Sequence, residues 1–492
     1  MDHIIQGFSI LADPYSLFVI VAGTIGGVVI GALPGLSSTM AVALLLPFTV
    51  SMDVVPAIAM LSALYCAGTY GGSITAILIN SPGTPAACAT AFDGYPLAEK
   101  GQAGRALGMA VWGSFFGGTF SVFVLLLAAP VLARLAYDFG APEYFALALF
   151  GMSMLASISG ESAVKNLIGG AFGLLIATVG IDFTTGVERF TFGFPELMDG
   201  IDFIPVMIGI FGLSELLTQA NVLDRVYRHL AAEAVKLPSR EDFRKVWKCM
   251  VRSCGIGTFI GVLPAEGGTV AAMIAYNEAK RWSKEPEMFG HGALEGVAGP
   301  ETANNAATGA AMVPTLALGI PGSATTAVIM GALMVHGIRP GPHLFIEQPD
   351  FLYAIFASML VANVLFLGIG AVGAKVFARI TLIPNAFLWP SVFVLAVVGS
   401  YSLEQNVVDI YVMLAFGLIG YVGRRYGFSP APIIMGLVLG EMVENTLKQS
   451  LIIFDHNWLR FLERPIVDVF FVLTLLGFFS PLIFKMFQKK WK

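Results

Sequence analysis

Charge is scarce in this sequence: only 12% of its 492 residues are Asp, Glu, Lys or Arg, and the net charge is −5. A nucleic-acid binder needs a basic footprint, and none is present. A soluble enzyme and a disordered scaffold are excluded by the opposite excess. Hydrophobic residues make up 56% and glycine adds 55 residues, against roughly 45–50% for both classes together in soluble domains. Cysteine is equally rare. Cys66, Cys88, Cys249 and Cys254 are too few and too scattered for a disulfide framework. The first two lie in apolar stretches, as small buried hydrophobes do. No cysteine or histidine set stands at zinc spacing, and the histidines form no i, i+4 pair, so no metal or haem site is expected. A Gly-x-x-x-x-Gly-Lys-Ser/Thr phosphate loop and a His-Glu-x-x-His protease signature are both missing, and no cofactor is implied.

What the sequence has is apolar blocks, many of them long and free of charge. They fall near 15–34, 36–50, 54–80, 104–133, 141–158, 163–181 and 200–220, and again near 249–264, 268–280, 303–320, 350–372, 386–400, 405–423, 430–447 and 465–487. Such blocks read as spanning helices in a lipid bilayer; an outer-membrane barrel would alternate instead. The expected fold is an all-α polytopic membrane protein with about 11–12 transmembrane helices. Two pieces, 82–92 and 322–335, follow Pro-Gly pairs and are too short to span, which predicts re-entrant or broken helices. The start Met1-Asp2-His3 lacks the positive charge of a signal peptide, so the first helix is expected to be retained. The longest polar stretch, 221–248, is shorter than the about 50 residues a domain needs, so any chemistry belongs inside the membrane.

The two halves resemble each other. Gly27, Gly31, Leu33, Pro34, Thr39 and Ala41 match Gly257, Gly261, Leu263, Pro264, Thr269 and Ala271 at an offset of 230. Thr69, Pro82, Gly83 and Thr84 match Thr308, Pro321, Gly322 and Ser323 at an offset of 239. Ala171 to Leu174 answers Ala415 to Leu418, and Pro205 and Gly209 answer Pro432 and Gly436. The expected organisation is a first transmembrane repeat (1–220), a basic linker (221–248), a second repeat (249–450), and an extra carboxy-terminal helix with its tail (451–492). Lys and Arg favour the cytoplasmic side. This places the linker, Arg424-Arg425 and the tail inside and the amino terminus outside, which makes the repeats inverted. Arg134 and Arg189 fall on the wrong side of that scheme.

Inverted-repeat transporters bind substrate near the midplane, where paired broken helices meet. The sequence marks four breaks: Pro34, Gly35, Ser37, Ser38 and Thr39; their mates Glu266, Gly267, Gly268 and Thr269; Ser81, Pro82, Gly83 and Thr84; and Pro321, Gly322, Ser323 and Thr325. Proline interrupts the helix, and the next helix then offers free N–H groups and the positive end of its dipole. Hydroxyls add donors without the cost of a buried charge. This chemistry suits an anion, and carbonyls freed at the breaks suit a cation such as Na⁺, whose ligands stay open. Charges at membrane depth are functional by default, so Glu266 and Glu301, with Asn304 and Asn305, are candidates for ion coupling. Glu301 also reads as a cap or loop residue, Glu215 and Glu441 as interfacial helix ends, and Gly23, Gly27, Gly31 and Gly35 as packing glycines.

Longer strings are more specific. Tyr70-Gly71-Gly72-Ser73-Ile74 and Asn80 through Ala87, Asp93-Gly94-Tyr95-Pro96-Leu97 and Lys100 through Ala106 are one set. Pro300 through Ala307 and Leu318 through Thr326 are the other. Together they resemble the large membrane subunit of the tripartite tricarboxylate transporters, essentially from end to end. The resemblance implies a bacterial inner-membrane carrier driven by a Na⁺ or H⁺ gradient. It also implies a small four-helix membrane subunit and a periplasmic solute-binding protein as partners, and citrate or another organic carboxylate as substrate. A stand-alone secondary anion transporter, a channel and a membrane-embedded enzyme are the other classes; the enzyme lacks any nucleophile–base pair, and the channel lacks a repeated ring motif.

Overall fold

A backbone in hydrocarbon has to satisfy its own hydrogen bonds, and this chain does so almost entirely with helices. The computed structural model describes residues 2–155, 162–182, 184–220, 234–264, 267–380 and 385–490. The first half contains α1 (Asp2–Leu11), α2 (Pro14–Gly31), α3 (Ser38–Thr49), α4 (Val54–Ile79), α5 (Ala87–Leu97), α6 (Ala103–Ala136), α7 (Ala141–Leu155), α8 (Ala163–Ala177), and α9 (Phe203–Met207), which runs through a π-helical turn into α10 (Ser214–Ala220). The second half contains α11 (Arg240–Val262), α12 (Gly267–Trp282), α13 (Leu294–Leu318), α14 (Ala324–Val335), the short α15 (Leu344–Glu347), α16 (Pro349–Ile380), α17 (Asn385–Glu404), α18 (Val407–Arg425), α19 (Pro430–Ile453) and α20 (Pro465–Lys490). Among the described residues one small antiparallel ribbon, Gly180–Ile181 with Glu188–Arg189, departs from the all-helical plan.

Several helices are built to cross a bilayer. Among the described residues, 14–31, 54–79, 87–136, 349–373 and 407–425 are long and apolar enough, and shorter apolar helices accompany them at 38–49, 163–177, 203–219, 324–335, 387–402 and 465–478. The two halves follow one packing plan. Helix α2 crosses α4 as α11 crosses α13; α6 packs on α13 while α16 packs on α4; and α8 lies on α19 while α18 lies on the α9–α10 segment. Each half therefore lends its long helix to the other half's bundle.

Close approach holds these crossings together, because lipid offers no hydrophobic drive between helices. A Cβ on Gly31 would collide with the Gly68 carbonyl oxygen, and one on Gly261 would stand 2.8 Å from the Ala307 Cα. Gly23 and Gly27 meet Met60 and Leu64 on α4 in the same way. Gly35 does not belong to that stripe; it is a turn residue with φ +83°.

Two boundaries differ from the sequence reading. Helix α13 begins at Leu294, well before the expected 303, so Glu301 is neither cap nor loop but lies inside the helix and fully buried. The run is rich in Ala, Gly and polar residues, which hydropathy undervalues, and its cover comes from α6, where the Thr302 carbonyl presses on Gly117. Helix α11 begins at Arg240, inside the expected linker, because Ser239 and Asp242 cap each other's backbone there.

Candidate functional site

Each of the two long buried helices ends in a residue of left-handed conformation. Asn80 (φ 54°) closes α4 and Gly319 (φ 70°) closes α13. The chain then folds back on its own helix. The Gly83 N–H donates to the Gly72 carbonyl at 3.2 Å, and the Gly322 N–H donates to Thr315 Oγ1 at 3.2 Å. New helices follow, α5 after the first turn and α14 after the second, where Ser323 caps by accepting from the Thr326 amide at 3.2 Å; at the earlier break after α2, Ser37 caps α3, accepting from the Met40 amide at 3.2 Å. Thr39 and Thr325, each in the first turn of its helix, share a hydrogen bond of 2.7 Å.

These breaks enclose a cavity of about 710 Å³, within the range of about 300–1,000 Å³ usual for small-molecule sites. Pro34, Gly35, Ser37, Ser38, Thr39, Ser81, Pro82, Gly83, Thr84, Gly268, Thr269, Ser323 and Thr325 line it, together with Asn304. The first residues of α3, α5, α12, α14 and α19 all reach its wall. Gly267, Pro321, Gly322, Glu301 and Asn305 do not line it. Gly267 packs on Gly261, and Gly322 packs on Ala311, so they form the turns behind the wall. Asn305 is turned back on its own helix, its Nδ2 donating to the Glu301 carbonyl at 3.0 Å. Glu266 lies outside the described residues.

The wall is nearly symmetric. Thr39 is matched by Thr269 across the offset of 230, and Thr69 by Thr308, Thr84 by Ser323 and Tyr65 by Asn304 across the offset of 239; all eight line the cavity. Thr69 and Thr308 were visible in the repeat as hydroxyls at matched positions, and that match could have placed them. Two buried donors on this wall, Thr84 Oγ1 and Asn304 Nδ2, have no partner among the described residues. The symmetry is incomplete: Pro82 and Gly83 line the wall while Pro321 and Gly322 do not, and Glu215, Gln219 and Arg424, from α10 and α18, stand outside the matched pairs. Arg424 bonds Glu215, and Gln219 donates to the same carboxylate at 2.8 Å. In the sequence Glu215 reads as an interfacial helix end and Arg424 as a marker of the cytoplasmic side, and neither reading points to a site.

Behind the wall, one helical turn from Asn304, the Glu301 carboxylate accepts from Thr90 Oγ1 at 2.5 Å and from Ser114 Oγ at 2.8 Å. Among the described residues it meets no basic group. Asp93 is also buried, but it serves as an anchor. Its Oδ1 accepts from the amides of Gly290, Gly292 and Ala293 at 2.8–2.9 Å and so fixes that loop.

A second cavity, of about 420 Å³, lies at the other ends of α14, α18 and α19 and includes Met330, Asp409 and Glu441. It borders an ion cluster in which Lys448 bridges Asp182 and Glu444, each at 2.5 Å, and Arg189 bonds Glu444. The Lys448 ammonium, helped by the Thr184 amide, holds the Asp182 carboxyl well below the usual carboxylate range.

Residues 17–435 match the family described as the tripartite tricarboxylate transporter TctA family. A protein of Agrobacterium vitis described as an uncharacterized 52.8 kDa protein in the TAR-I ttuC' 3'region is 41% identical over 468 residues, covering 95% of this chain and 93% of its own length. A second from that organism, an uncharacterized protein in the TAR-II ttuC' 3'region, is 40% identical over 210 residues, covering 43% of this chain and 87% of its own length. No solved structure matches. Transporters of this kind are assembled from several subunits and the family is not an enzyme family, and this chain, with its bilayer-crossing helices, belongs to the tripartite tricarboxylate transporter TctA family as a membrane component of such a transporter.

Proposed function

We propose that this chain is the carrier subunit of an ion-driven importer of a tricarboxylate or other organic carboxylate in a bacterial inner membrane. The observation that carries this reading is the convergence of the amino-terminal ends of α3, α5, α12, α14 and α19 on one hydroxyl-lined cavity. Each such end carries about half a positive charge, while Ser37 and Ser323 already accept one amide each in α3 and α14 and the prolines of α19 donate none. An anionic substrate gains from all of them without a buried cation at each contact. Thr84 and Asn304 supply donors that still lack a partner.

Coupling to a Na⁺ or H⁺ gradient is assigned to Glu301, whose buried carboxylate sits one turn behind Asn304 without a basic partner among the described residues, with Glu266 as the second candidate. Delivery is assigned to a periplasmic binding protein docking near 134–142, 182–199 and 336–350, alongside a small four-helix membrane subunit. The inverted-repeat arrangement, with 1–220 and 249–450 as the repeats and the 221–248 linker cytoplasmic, fits the packing plan of the helices. The pairing of Arg189 with Glu444 lessens the objection that Arg189 sits on the outer side.

Reconstitution in proteoliposomes tests the reading. Uptake of a labelled carboxylate should require an inward ion gradient and rise steeply with the binding protein and small subunit present. Full-rate uptake at micromolar substrate by this chain alone would replace the tripartite reading with a stand-alone carrier. Glu301→Gln should abolish ion dependence, and an unchanged dependence would remove Glu301 from coupling. Labelling of a cysteine placed in the 221–248 linker by an impermeant reagent outside intact spheroplasts would overturn the inverted arrangement.

A further inference from the structure

Among the described residues that line the larger cavity, Glu215 and Arg424 are the only ones with a formal charge, and they are bonded to each other. Their side chains are 16% and 28% exposed, so the pair is largely withdrawn from solvent. Arg424 holds Glu215 through Nη1, while its Nε is buried without a partner. The guanidinium is thus engaged on one nitrogen, where a carboxylate in fork geometry would take two. It stands in the last turn of α18, where the negative end of the helix dipole favours a cation. Ser429, the residue that opens α19 on the same wall, makes no side-chain cap, and since Pro430 and Pro432 have no N–H, Ala431 offers the one amide of the first three residues there. Gln219 holds the far oxygen of Glu215 and lies against Gly35 in the first break, where a Cβ would stand 2.5 Å from its Nε2.

We propose that Arg424 is the carboxylate-recognising residue of the cavity and that Glu215 is its placeholder, exchanged for a substrate carboxylate on binding. The inference rests on the carboxylate reading above. Without a placeholder, a largely desolvated guanidinium would stand unpaired in the wall of the empty cavity, which is costly. With one, the described residues of the cavity wall carry no net charge. A substrate carboxylate that enters must compete with Glu215 for the same guanidinium, so Glu215 lowers affinity while Arg424 provides it. A purely structural ion pair predicts something else, because removing either partner would then damage the site in the same direction.

Opposite signs therefore decide the matter. Binding of acetate, malate and citrate to the purified full-length chain is measured by calorimetry, with thermal unfolding as a check on folding. Wild type should bind at least one of the di- or tricarboxylates. Arg424→Gln should bind it roughly ten- to a hundredfold more weakly, the span of a lost charge-assisted hydrogen bond. Arg424→Lys, which keeps the charge and loses the fork, should fold normally and fall between. Glu215→Gln should bind more tightly, by on the order of tenfold, because a neutral amide competes less well for the guanidinium. Weaker binding in Glu215→Gln, or wild-type binding in Arg424→Lys and Arg424→Gln, would overturn the exchange. Binding of none of the three acids by wild type would instead bring down the carboxylate reading on which the exchange stands.

Discussion

Thr39 and Thr325 lie 286 residues apart in sequence, yet their hydroxyl oxygens are 2.7 Å apart, joining the first turn of α3 to the first turn of α14. One helix comes from each half, and both start at the cavity, so this bond ties together two helix ends of the cavity wall. Thr39→Val and Thr325→Val should each raise the apparent KM by up to about tenfold, since a neutral hydrogen bond is worth about 0.5–1.5 kcal/mol net. If the two hydroxyls act as one link, the double variant should be no worse than either single one. Additive losses in a double-mutant cycle would mean that each threonine meets the substrate separately.

Thr84 invites a test in which stability and affinity move apart. Its hydroxyl is buried on the cavity wall without a partner, and such a group costs about 1–3 kcal/mol in the empty protein. Thr84→Val keeps the shape and removes the orphan. The melting temperature should rise or hold, and substrate affinity should fall. A variant with wild-type affinity would mean that the hydroxyl does not face the ligand.

Much of this site was legible because its chemistry is written in residue types that have few other uses. Pro34, Ser38, Pro82 and Thr84 stand out against an apolar background, and repetition at fixed offsets separates them from chance. Asn304 and Glu301 stood out as polar residues in an apolar protein, but the sequence could not tell that one faces the cavity and the other the α5–α6 side of the same helix. A shift of three residues turns a helix by most of a full circle, yet packing on α6 decides which side is covered. Glu215 was readable only as an interfacial helix end, and Arg424, with Arg425, only as a marker of the cytoplasmic side. Their pairing depends on α10 and α18 lying side by side, a tertiary fact with no local signature.

The glycine stripe of α2 gives an internal control. Gly31 faces the α4 backbone, whereas Gly26 in the same helix has nothing near its missing Cβ. Gly31→Ala should destabilise by about 1–3 kcal/mol through overpacking. Gly26→Ala should stabilise by about 0.5–1 kcal/mol through helix propensity. Gly261→Ala, at the matching crossing of α11 with α13, should behave as Gly31→Ala does. Thermal unfolding in detergent reads all three, and equal effects at positions 26 and 31 would contradict the crossing.

Cys88 offers a direct probe of occupancy. Of the four cysteines, Cys66, Cys249 and Cys254 are buried, while Cys88 is half-exposed in the first turn of α5, on the cavity wall. A small thiol reagent such as a methanethiosulfonate should therefore modify the native protein at one position, which mass spectrometry of the digested chain can assign. Modification should block uptake, because the added group stands among the helix ends that would hold the anion. Cys88→Ser should transport normally and resist the reagent. A bound carboxylate fills the same space, so saturating substrate should slow labelling of Cys88 in proportion to occupancy, while an uncharged analogue of similar size should not. Labelling at an unchanged rate under saturating substrate would place the binding site elsewhere, with the smaller cavity between α14, α18 and α19 as the next position to probe.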